Sequence, residues 1–334
     1  MPDSTPSFPL VGRDAVGPKL RRSGGAGRFL LRRVAQAAFV IFGVVCVTFF
    51  VLRLVPGDPA RLMVPPGSSE EVVQAIRVEL GTDRPILEQF WIYLSGLARG
   101  DLGESFRYER PVLDLVLDAL PATLALGSLS ILLALVISIP LGTLAAARPG
   151  SWLDKGILVV AMIGQSLPNF WIGVMLVLLF SIRLQWLPAI GNQTASAYIL
   201  PVITLSAVLI AALLRIVRQS VLEALSEDYI RSARAKGVPG HRILLVHALK
   251  NASIPLVTVL GLQVGFVLGG AFVVELIYNW PGVGLLALQA TATRDFPVVQ
   301  GVVTAVATVF VLANLLVDIA YAYLNPRIRL GVEQ

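Results

Sequence analysis

The segment EALSEDYIRSARAKGVPGHRILLVHALKNASIP, residues 223–255, is the polar stretch around which the apolar segments of this chain are arranged. It is too polar to cross a bilayer, and its pattern is too regular for an irregular loop. Ser226 is suited to begin a helix, because its hydroxyl can accept from an otherwise unpaired backbone N–H. Gly237 can take the left-handed conformation that ends a helix, and a second helical pattern runs from about His241 to Ser253. The stretch therefore predicts a helix–turn–helix that protrudes between membrane spans, where another protein can hold it.

The composition is that of an integral membrane protein. Of the 334 residues, 56% are hydrophobic and only 14% are charged, and the mean hydropathy is +0.77. A soluble domain of this size would carry about 25% charged residues. The net charge of +6 does not indicate nucleic-acid binding, because the basic residues follow one predicted membrane face. The one cysteine, Cys46, lies inside an apolar run, which excludes a disulfide framework and a Cys-based metal site.

Six apolar runs are long enough to cross about 30 Å of hydrocarbon. They are 34–55, 122–146, 157–180, 198–217, 255–277 and 299–323. Lys and Arg concentrate in the segments that lie on one side if the amino terminus is cytoplasmic, so this bias predicts cytoplasmic termini. Residues 1–27 are rich in Pro, Ser, Gly and Arg and are predicted to form a disordered cytoplasmic tail. Residues 331–334 form a short tail at the other end.

Two connecting segments are predicted to have structure of their own. Residues 56–121 carry more acidic than basic residues and predict a small helical extracytoplasmic domain. Ser68 and Glu71 form a capping box, and two apolar stripes predict two amphipathic helices. The stripes are Val72, Val73, Ile76 and Leu80, then Ile86, Phe90, Leu94 and Leu97. This domain either receives substrate or only shields the bundle. Residues 218–254 predict the cytoplasmic loop that contains the helix–turn–helix.

Polar and small residues inside the predicted spans are candidates for packing or for a pathway. Glycines that recur every four residues predict the close approach of another helix, from this chain or a second one. They are Gly261, Gly265 and Gly269. Polar groups at membrane depth need internal partners, and an intramembrane acid is a functional candidate. The candidate pathway residues are Gln165, Asn169, Asn314 and Asp318. The structural alternatives are a packed kink at Pro168 and an Asp318 side chain that only reaches the interface.

Catalytic and metal-binding motifs are absent from the sequence. No lysine follows a glycine, so the GxxxxGK[ST] phosphate loop is missing and the chain is not expected to hydrolyse ATP. His241 and His247 are six residues apart and would lie on different faces of a helix, which argues against a shared metal. HExxH and GxSxG are also missing. We expect no catalytic residue, no metal and no cofactor on this chain.

Several stretches, in order along the chain, resemble the membrane-spanning permease subunits of bacterial ABC importers of the dipeptide, oligopeptide and nickel class. DYIRSARAKG (228–237) followed by HALKNASIP (247–255) is similar to the EAA loop of that class. The other matching stretches are RFLLRR (28–33), PGDPA (56–60), DRPILEQFWIYLSGLARGDLGESF (83–106), LPATLAL (120–126), ELIYNWPGVG (275–284), RDFPVVQG (294–301) and NPRIR (325–329). Together they define a predicted permease domain over residues 28–330.

The sequence departs from the family pattern in three places. Aligned on Gly237, the Glu-Ala-Ala of the loop is replaced by Arg231, Ser232 and Ala233, so only the last alanine is kept. The stretch from this glycine to the proline at 255 is longer than in sugar importers. Both departures are usual for the peptide class. Asn325 stands where the class usually has Asp.

The resemblance implies that residues 226–237 form a coupling helix that docks into a cleft of an ATPase subunit. The implied coupling residues are Tyr229, Ile230, Arg231, Ala233, Arg234, Lys236 and Gly237. Their apolar side chains would form the packing face, and their basic side chains would pair with acidic residues around the cleft. A basic amphipathic helix that lies on anionic lipid is the alternative.

The resemblance also implies a complete assembly. It contains a second homologous permease, two ATPase subunits (or two copies of one) that bind ATP and Mg, and an extracytoplasmic substrate-binding protein. This chain would lie in the bacterial cytoplasmic (inner) membrane with both termini in the cytoplasm, in agreement with the charge bias. The predicted fold is an all-α integral membrane protein with six transmembrane helices, a small helical extracytoplasmic domain between helices 1 and 2, and a cytoplasmic coupling helix between helices 4 and 5.

The predicted function is the import of short peptides, driven by ATP hydrolysis on the separate ATPase subunits. Nickel-chelate and glutathione importers use very similar permeases, and the residues of this chain do not separate these substrates. Two other classes remain as alternatives. An ion-coupled secondary transporter often shows inverted repeats, and no repeat of 226–253 is evident elsewhere in the chain. A membrane-embedded enzyme would have only the four candidate pathway residues for its chemistry.

Overall fold

The computed structural model describes residues 25–54, 57–65 and 67–324. Within these ranges the chain is helical, and a single isolated bridge between Glu104 and Pro111 pairs extended backbone. The predicted tails lie outside the described residues, except for 25–27, which begin the first helix instead of continuing a disordered segment.

The helices are numbered here in chain order. They are α1 (Gly25–Leu54), α2 (Pro59–Met63), α3 (Glu70–Glu79), α4 (Ile86–Leu97), α5 (Val112–Ala147), α6 (Trp152–Ser166), α7 (Asn169–Leu176), α8 (Ile199–Ser226), α9 (Asp228–Ala235), α10 (Gly240–Arg242), α11 (Leu249–Ile277), α12 (Val283–Ala292) and α13 (Phe296–Leu324). Wider π-helical segments continue α7 over Val177–Arg183 and join α10 to α11 over Ile243–Ala248, and a 3-10 turn over Ala195–Tyr198 precedes α8.

Five of these helices are long and apolar enough to cross a membrane, and the bent pair α6–α7 makes a sixth crossing if it is counted as one span. This is the predicted all-α membrane architecture. The predicted third span, 157–180, is not a straight helix, because α6 and α7 meet at an angle of 99°. Leu167, between them, is extended with ψ 129°. Pro168 explains the bend, since proline disfavours a helical conformation in the residue before it and lacks an N–H itself.

The core of the bundle is built around α8, which packs against α5, α6, α7 and α11. One stripe of α8 is buried at intervals of four residues: Leu205, Leu209, Leu213, Val217 and Val221. An apolar stripe with this period buries one helix face continuously. The helix that leads into the polar stretch is therefore the one most enclosed by its neighbours.

The segment between α1 and α5 contains three short helices, whereas two were predicted. Asp58 caps α2 and Arg77 of α3 binds both Asp58 (2.5 Å) and Glu70 (2.9 Å), which ties α2 to α3. The hydrogen bond to Asp58 raises the pKa of Arg77. Val73 and Phe90, one from each predicted apolar stripe, are buried.

Two predicted helix caps are wrong. Ser226 ends α8, and its hydroxyl donates to the carbonyl of Glu223 (2.7 Å) instead of accepting from the next helix. A serine hydroxyl that bonds back to its own helix cannot cap the following one. The helix predicted to be the coupling helix therefore begins later, at Asp228, after an extended Glu227. Ser68 likewise bonds back to a preceding carbonyl, so the predicted capping box does not form.

The second arm of the predicted helix–turn–helix is not a separate helix. From Gly240 the backbone runs through α10, the π-helical segment and α11 without a break, and Pro255 lies inside α11. The pattern predicted over 241–253 is therefore continuous with the helix of the candidate span Pro255–Ile277. The wider π-helical segment 243–248 lies directly before α11.

The glycine face of α11 packs against α13 of the same chain, at two of its three predicted positions. A Cβ at Gly261 would lie 2.8 Å from Val317, and one at Gly265 would lie 2.8 Å from Phe310. A Cβ at Gly269 would meet no atom of the described chain within 4 Å, so packing of this residue against a second chain stays a prediction.

Candidate functional site

The short helix α9 is anchored to its own chain by Ile230. This side chain is completely buried, and α9 packs against the end of α8 and against the π-helical segment 243–248. Ile230 was predicted to belong to a packing face for a partner protein. In the structure it faces the bundle, so its burial holds α9 in place and leaves partner contacts to other side chains.

The outward surface of α9 is polar and aromatic. Tyr229 is exposed, and its hydroxyl accepts a hydrogen bond from the side-chain amide of Asn251 (2.6 Å). Arg231 pairs with Asp228 within α9. The remaining predicted residues of this surface are Ala233, which is half-buried, and the exposed Arg234 and Lys236. Within the described ranges these two basic side chains form no salt bridge, so they remain available to an acidic partner surface.

Gly237 ends α9 in the predicted left-handed conformation, with φ +74°. Its N–H donates to the carbonyl of Arg234 (2.9 Å), and the N–H of Val238 donates to the carbonyl of Ala233 (3.2 Å). These two bonds define a Schellman cap. A Cβ at Gly237 would meet no atom within 4 Å, so the requirement for glycine comes from the backbone alone.

A buried ion pair connects α8 to α6 near the same end of the bundle. Arg218 of α8 donates to both carboxylate oxygens of Asp154, at 2.5 and 2.8 Å, and Gly150 donates its N–H to the same carboxylate (2.9 Å). The side chains are 3% and 19% exposed for Asp154 and Arg218, respectively. Such a bidentate, dehydrated pair fixes both position and angle. It was not among the predicted site residues, because nothing in the local sequence indicates that the two residues meet.

The four candidate pathway residues do not form one group. Gln165 is exposed at the end of α6. Asn169 begins α7, and its side-chain oxygen is buried without a hydrogen-bond partner in the described part of the chain. Asn314 donates to the carbonyl of Phe310 in its own helix (3.0 Å). Asp318 pairs with Arg33 of α1 (3.2 Å). The first two therefore lie at the α6–α7 bend, and the last two lie between α1 and α13.

A buried carboxylate joins three helices at the opposite end of the bundle. Glu275, near the end of α11, is fully buried. It accepts hydrogen bonds from the hydroxyl of Thr123 in α5 (2.5 Å) and from the N–H groups of Gly284 (2.7 Å) and Leu285 (3.1 Å) in α12. The Thr123 hydroxyl in turn accepts from the N–H of Val283 (2.9 Å). Donors at the start of a helix stabilise a carboxylate that has no basic partner in the described ranges.

The WPGVG stretch allows this contact because it lets the backbone approach closely. A Cβ at Gly282 would collide with both Glu275 and the hydroxyl of Thr123. Trp280, which is fully buried, donates its indole N–H to the carbonyl of Ala122 (3.1 Å). Two stretches far apart in sequence, 120–126 and 275–284, are therefore bonded through buried groups.

A second buried carboxylate, that of Asp295, bonds the segment between α12 and α13 to the segment between α4 and α5. Asp295 accepts from the hydroxyl of Ser105 (2.6 Å) and, more weakly, from the N–H of Val298 in the first turn of α13 (3.4 Å). Arg294 packs over Gly57, where a Cβ would collide with its guanidinium. The stretches around 57, 105 and 295 therefore converge. Neither buried carboxylate was predicted, although both lie in the stretches that carry the family resemblance.

Comparison with known proteins identifies relatives over most of the chain. Residues 138–330 match the family described as binding-protein-dependent transport system inner membrane component, and residues 27–127 match the N-terminal part of the membrane component of such systems. The chain is 40% identical over 301 residues to the glutathione transport system permease protein GsiC of Escherichia coli (strain K12) and to the protein of that name from Shigella flexneri serotype 5b (strain 8401). Each alignment covers 90% of this chain and 98% of the relative.

The fold is also similar to solved structures of a transporter. It superposes on inward facing conformations of the MetNI methionine ABC transporter with a TM-score of 0.55, at 19% identity, over 63% of this chain and 96% of that chain. A second crystal form of the same transporter gives a TM-score of 0.51.

Proposed function

The chain belongs to the family of binding-protein-dependent transport system inner membrane components, and from this premise we propose how it works as a permease subunit of an ABC importer. It is a multi-pass protein of the inner membrane. With a second, homologous permease it forms a translocation pathway for short peptides. Two ATPase subunits on the α9 side bind ATP and Mg, and an extracytoplasmic binding protein delivers the substrate on the other side. The amino and carboxyl termini lie on the α9 side.

The observation that carries this proposal is the direct connection of α9 to the most enclosed helix of the bundle. Only Glu227 separates the end of α8 from the start of α9. Ile230 holds α9 against the bundle, so a force on the exposed surface of α9 moves α8 with it. The Arg218–Asp154 pair passes that movement from α8 to α6. Helix α9 thus couples ATP-driven closure of the ATPase subunits to the tilt of the spans.

The substrate proposal rests on the relatives. Proteins with 40% identity over nearly their whole length are named glutathione transport system permeases. Glutathione is a short peptide, so it belongs to the predicted substrate class and is the specific candidate we favour within it. The binding protein selects the substrate in such a system, so the competition test uses the complete system. Cells that express all of its subunits should take up labelled glutathione. Unlabelled di- or tripeptides should reduce that uptake by competition. Nickel uptake without peptide uptake would refute the peptide proposal.

The coupling role can be tested by co-purification from membranes in a mild detergent. The tagged chain should retain its ATPase subunits, and Tyr229→Ala combined with Arg234→Glu should release them, since both side chains belong to the exposed surface of α9. Arg99→Glu, an exposed arginine at the opposite end of the bundle, is the matched control and should retain them. A chain that purifies alone and transports with an ion gradient would instead be a secondary transporter.

A second pair of variants tests the position of α9 without changing its surface. Gly237→Val places a β-branched residue in a left-handed conformation at a cost of roughly 1–2 kcal/mol, whereas Gly237→Asn retains a residue that tolerates this conformation. We expect the valine variant to lose ATPase subunits and the asparagine variant to keep most of them. Equal retention in both variants would show that the cap does not position the docking surface.

A further inference from the structure

Helix α4 packs beside the apolar part of the bundle, whereas a water-exposed domain would lie beyond the ends of the spans. Phe90 of α4 packs against Phe49 and Phe50 of α1, with ring centroids 5.2 and 5.4 Å apart. Phe49 precedes the end of the apolar span Leu31–Leu54 by five residues. At 1.5 Å per residue, its Cα is about 7–8 Å inside that end. The ring of Phe90 is therefore level with the apolar part of α1.

A second contact places α4 at a similar depth on α13. The hydroxyl of Tyr93 is 3.5 Å from that of Thr304. Thr304 follows the start of α13, at Phe296, by eight residues, which is about 12 Å along the helix. The Tyr93 ring also stacks on Phe49, with centroids 5.7 Å apart. Contacts to two spans thus hold α4 beside the bundle, below the ends of both helices.

The surface that α4 leaves uncovered has an apolar side and a polar side. Leu87 and Trp91 are 63% and 66% exposed, although leucine and tryptophan are costly to leave in water. They lie one turn apart on one side of the helix. A polar stripe opposite the buried face consists of the Arg84–Glu88 pair (3.1 Å), Ser95 and Arg99.

We propose that α4 is an interfacial helix that inserts Leu87 and Trp91 into the lipid leaflet at the 57–111 end of the bundle. The exposed apolar side of α4 is continuous with the exposed apolar surface of α1, which is a candidate membrane span. The exposed ring of Phe50 stacks on Phe90, whose centroid is 6.1 Å from that of Trp91. Tryptophan is enriched at headgroup depth, and a helix with one apolar and one charged side lies in the plane of the interface.

The proposed lipid-binding surface of α4 is separate from the exposed surface of α9. The proposal does not depend on which substrate the protein carries. On this proposal, α4 of the predicted extracytoplasmic domain 56–121 is part of the membrane-embedded body, and the other helices of that domain are outside it. The partner we propose is bilayer lipid, since the apolar side of α4 continues the exposed apolar surface of a candidate membrane span.

Site-directed spin labelling tests the proposal. The native cysteine is removed by Cys46→Ser, and single cysteines are introduced by Leu87→Cys on the apolar side and, as the matched control about 100° further round the helix on the polar stripe, Glu88→Cys. The full chain, with the partner subunits that it retains, is placed in nanodiscs of phosphatidylethanolamine and phosphatidylglycerol. The Cys46→Ser sample without an introduced cysteine supplies the background. Accessibility of each label to oxygen, which enters the bilayer, is compared with accessibility to a water-soluble nickel chelate.

The proposal predicts that the ratio of oxygen to nickel-chelate accessibility is several-fold higher at 87 than at 88. A label at 87 that is more accessible to the nickel chelate would overturn it, because the surface would then face water. A label that neither reagent reaches would also overturn it, because a protein partner would then cover α4.

A second measurement keeps the native tryptophan. Brominated lipid should quench part of the tryptophan fluorescence of the wild-type sample, and Trp91→Phe should remove a component that is quenched more strongly than the average. If the component lost in Trp91→Phe is insensitive to brominated lipid, Trp91 does not contact the acyl chains and the proposal is wrong.

Discussion

At the scale of single residues, two buried acids show how this membrane protein stabilises carboxylates without ion pairs. Glu275 accepts from the Thr123 hydroxyl and from two backbone N–H groups at the start of α12, and Asp295 accepts from the Ser105 hydroxyl and from the N–H groups of Arg107 in a loop and Val298 in α13. A buried carboxylate is costly unless it is hydrogen-bonded. The glycines of the WPGVG stretch are required for the same reason, because a Cβ at Gly282 would occupy the place of the Glu275 carboxylate.

Removal of the Glu275 carboxylate should destabilise the chain strongly. In Glu275→Ala, the hydroxyl of Thr123 and the N–H groups of Gly284 and Leu285 lose their acceptor while they stay buried, and each unsatisfied group costs about 1–3 kcal/mol. Glu275→Gln keeps one acceptor oxygen and should lie between the wild type and the alanine variant. The measurement is the thermal unfolding midpoint in detergent.

The matched control is Glu88→Ala. Glu88 forms an exposed pair with Arg84, and exposed pairs contribute about 0–1 kcal/mol, so its midpoint should hardly change. Equal midpoints for Glu275→Ala and Glu88→Ala would show that the buried hydrogen bonds contribute little to stability.

The same residues show which features the sequence could predict. The left-handed cap at Gly237 was predicted correctly because the turn that needs it is local. Ser226 was assigned as a cap because the sequence does not show whether its hydroxyl bonds forward or back. Glu275 was missed because Thr123, its hydroxyl partner, is 152 residues away in the chain. Long-range partners of polar groups cannot be derived from periodicity, which reports only which face of an element is buried.

At the scale of elements, the break between α6 and α7 and the junction of α8 with α9 explain how movement can spread from one end of the bundle. Pro168 divides the third span into two helices at 99°, so α6 and α7 do not form one straight helix. From the sequence, the proline and the polar residues in this span predicted either a packed kink or residues that line a pathway. The structure shows the bend, while the roles of Gln165 and Asn169 in a pathway stay predictions.

The Arg218–Asp154 pair should be necessary for transmission from α8 to α6. Arg218→Asp or Asp154→Arg alone leaves like charges facing each other across the α6–α8 contact, so we expect either single variant to give a lower yield of the intact complex. The exchanged pair, with both substitutions, should restore much of the intact complex. It should not restore all of it, because the N–H of Gly150 would then face an arginine.

Arg218→Lys separates charge from geometry. Lysine keeps the positive charge and lacks the bidentate contact, so we expect an assembled complex with fewer substrate molecules transported per ATP hydrolysed. The measurements are the yield of the complex and that ratio. A lysine variant with a wild-type ratio would mean that the pair only stabilises the fold.

At the scale of the whole molecule, the stretches that carry the family resemblance are brought together by buried contacts. LPATLAL meets ELIYNWPGVG through Thr123 and Glu275, and the DLGESF stretch meets RDFPVVQG through Ser105 and Asp295. The α9 end is connected differently, through one exposed short helix and, among the described residues, the ion pairs Arg218–Asp154 and Arg33–Asp318. The molecule thus has a tightly bonded end, where substrate would be received, and an end with an exposed polar helix, where an ATPase would dock.

The most direct test of this account is uptake into vesicles that contain the purified complex, with ATP and Mg enclosed on the α9 side and labelled glutathione with its binding protein outside. The account predicts uptake that requires hydrolysable ATP, continues when ion gradients are collapsed, and is lost in the Tyr229→Ala/Arg234→Glu variant. Uptake that needs an ion gradient and proceeds without ATP would contradict it, and the chain would then have to be described as a secondary transporter.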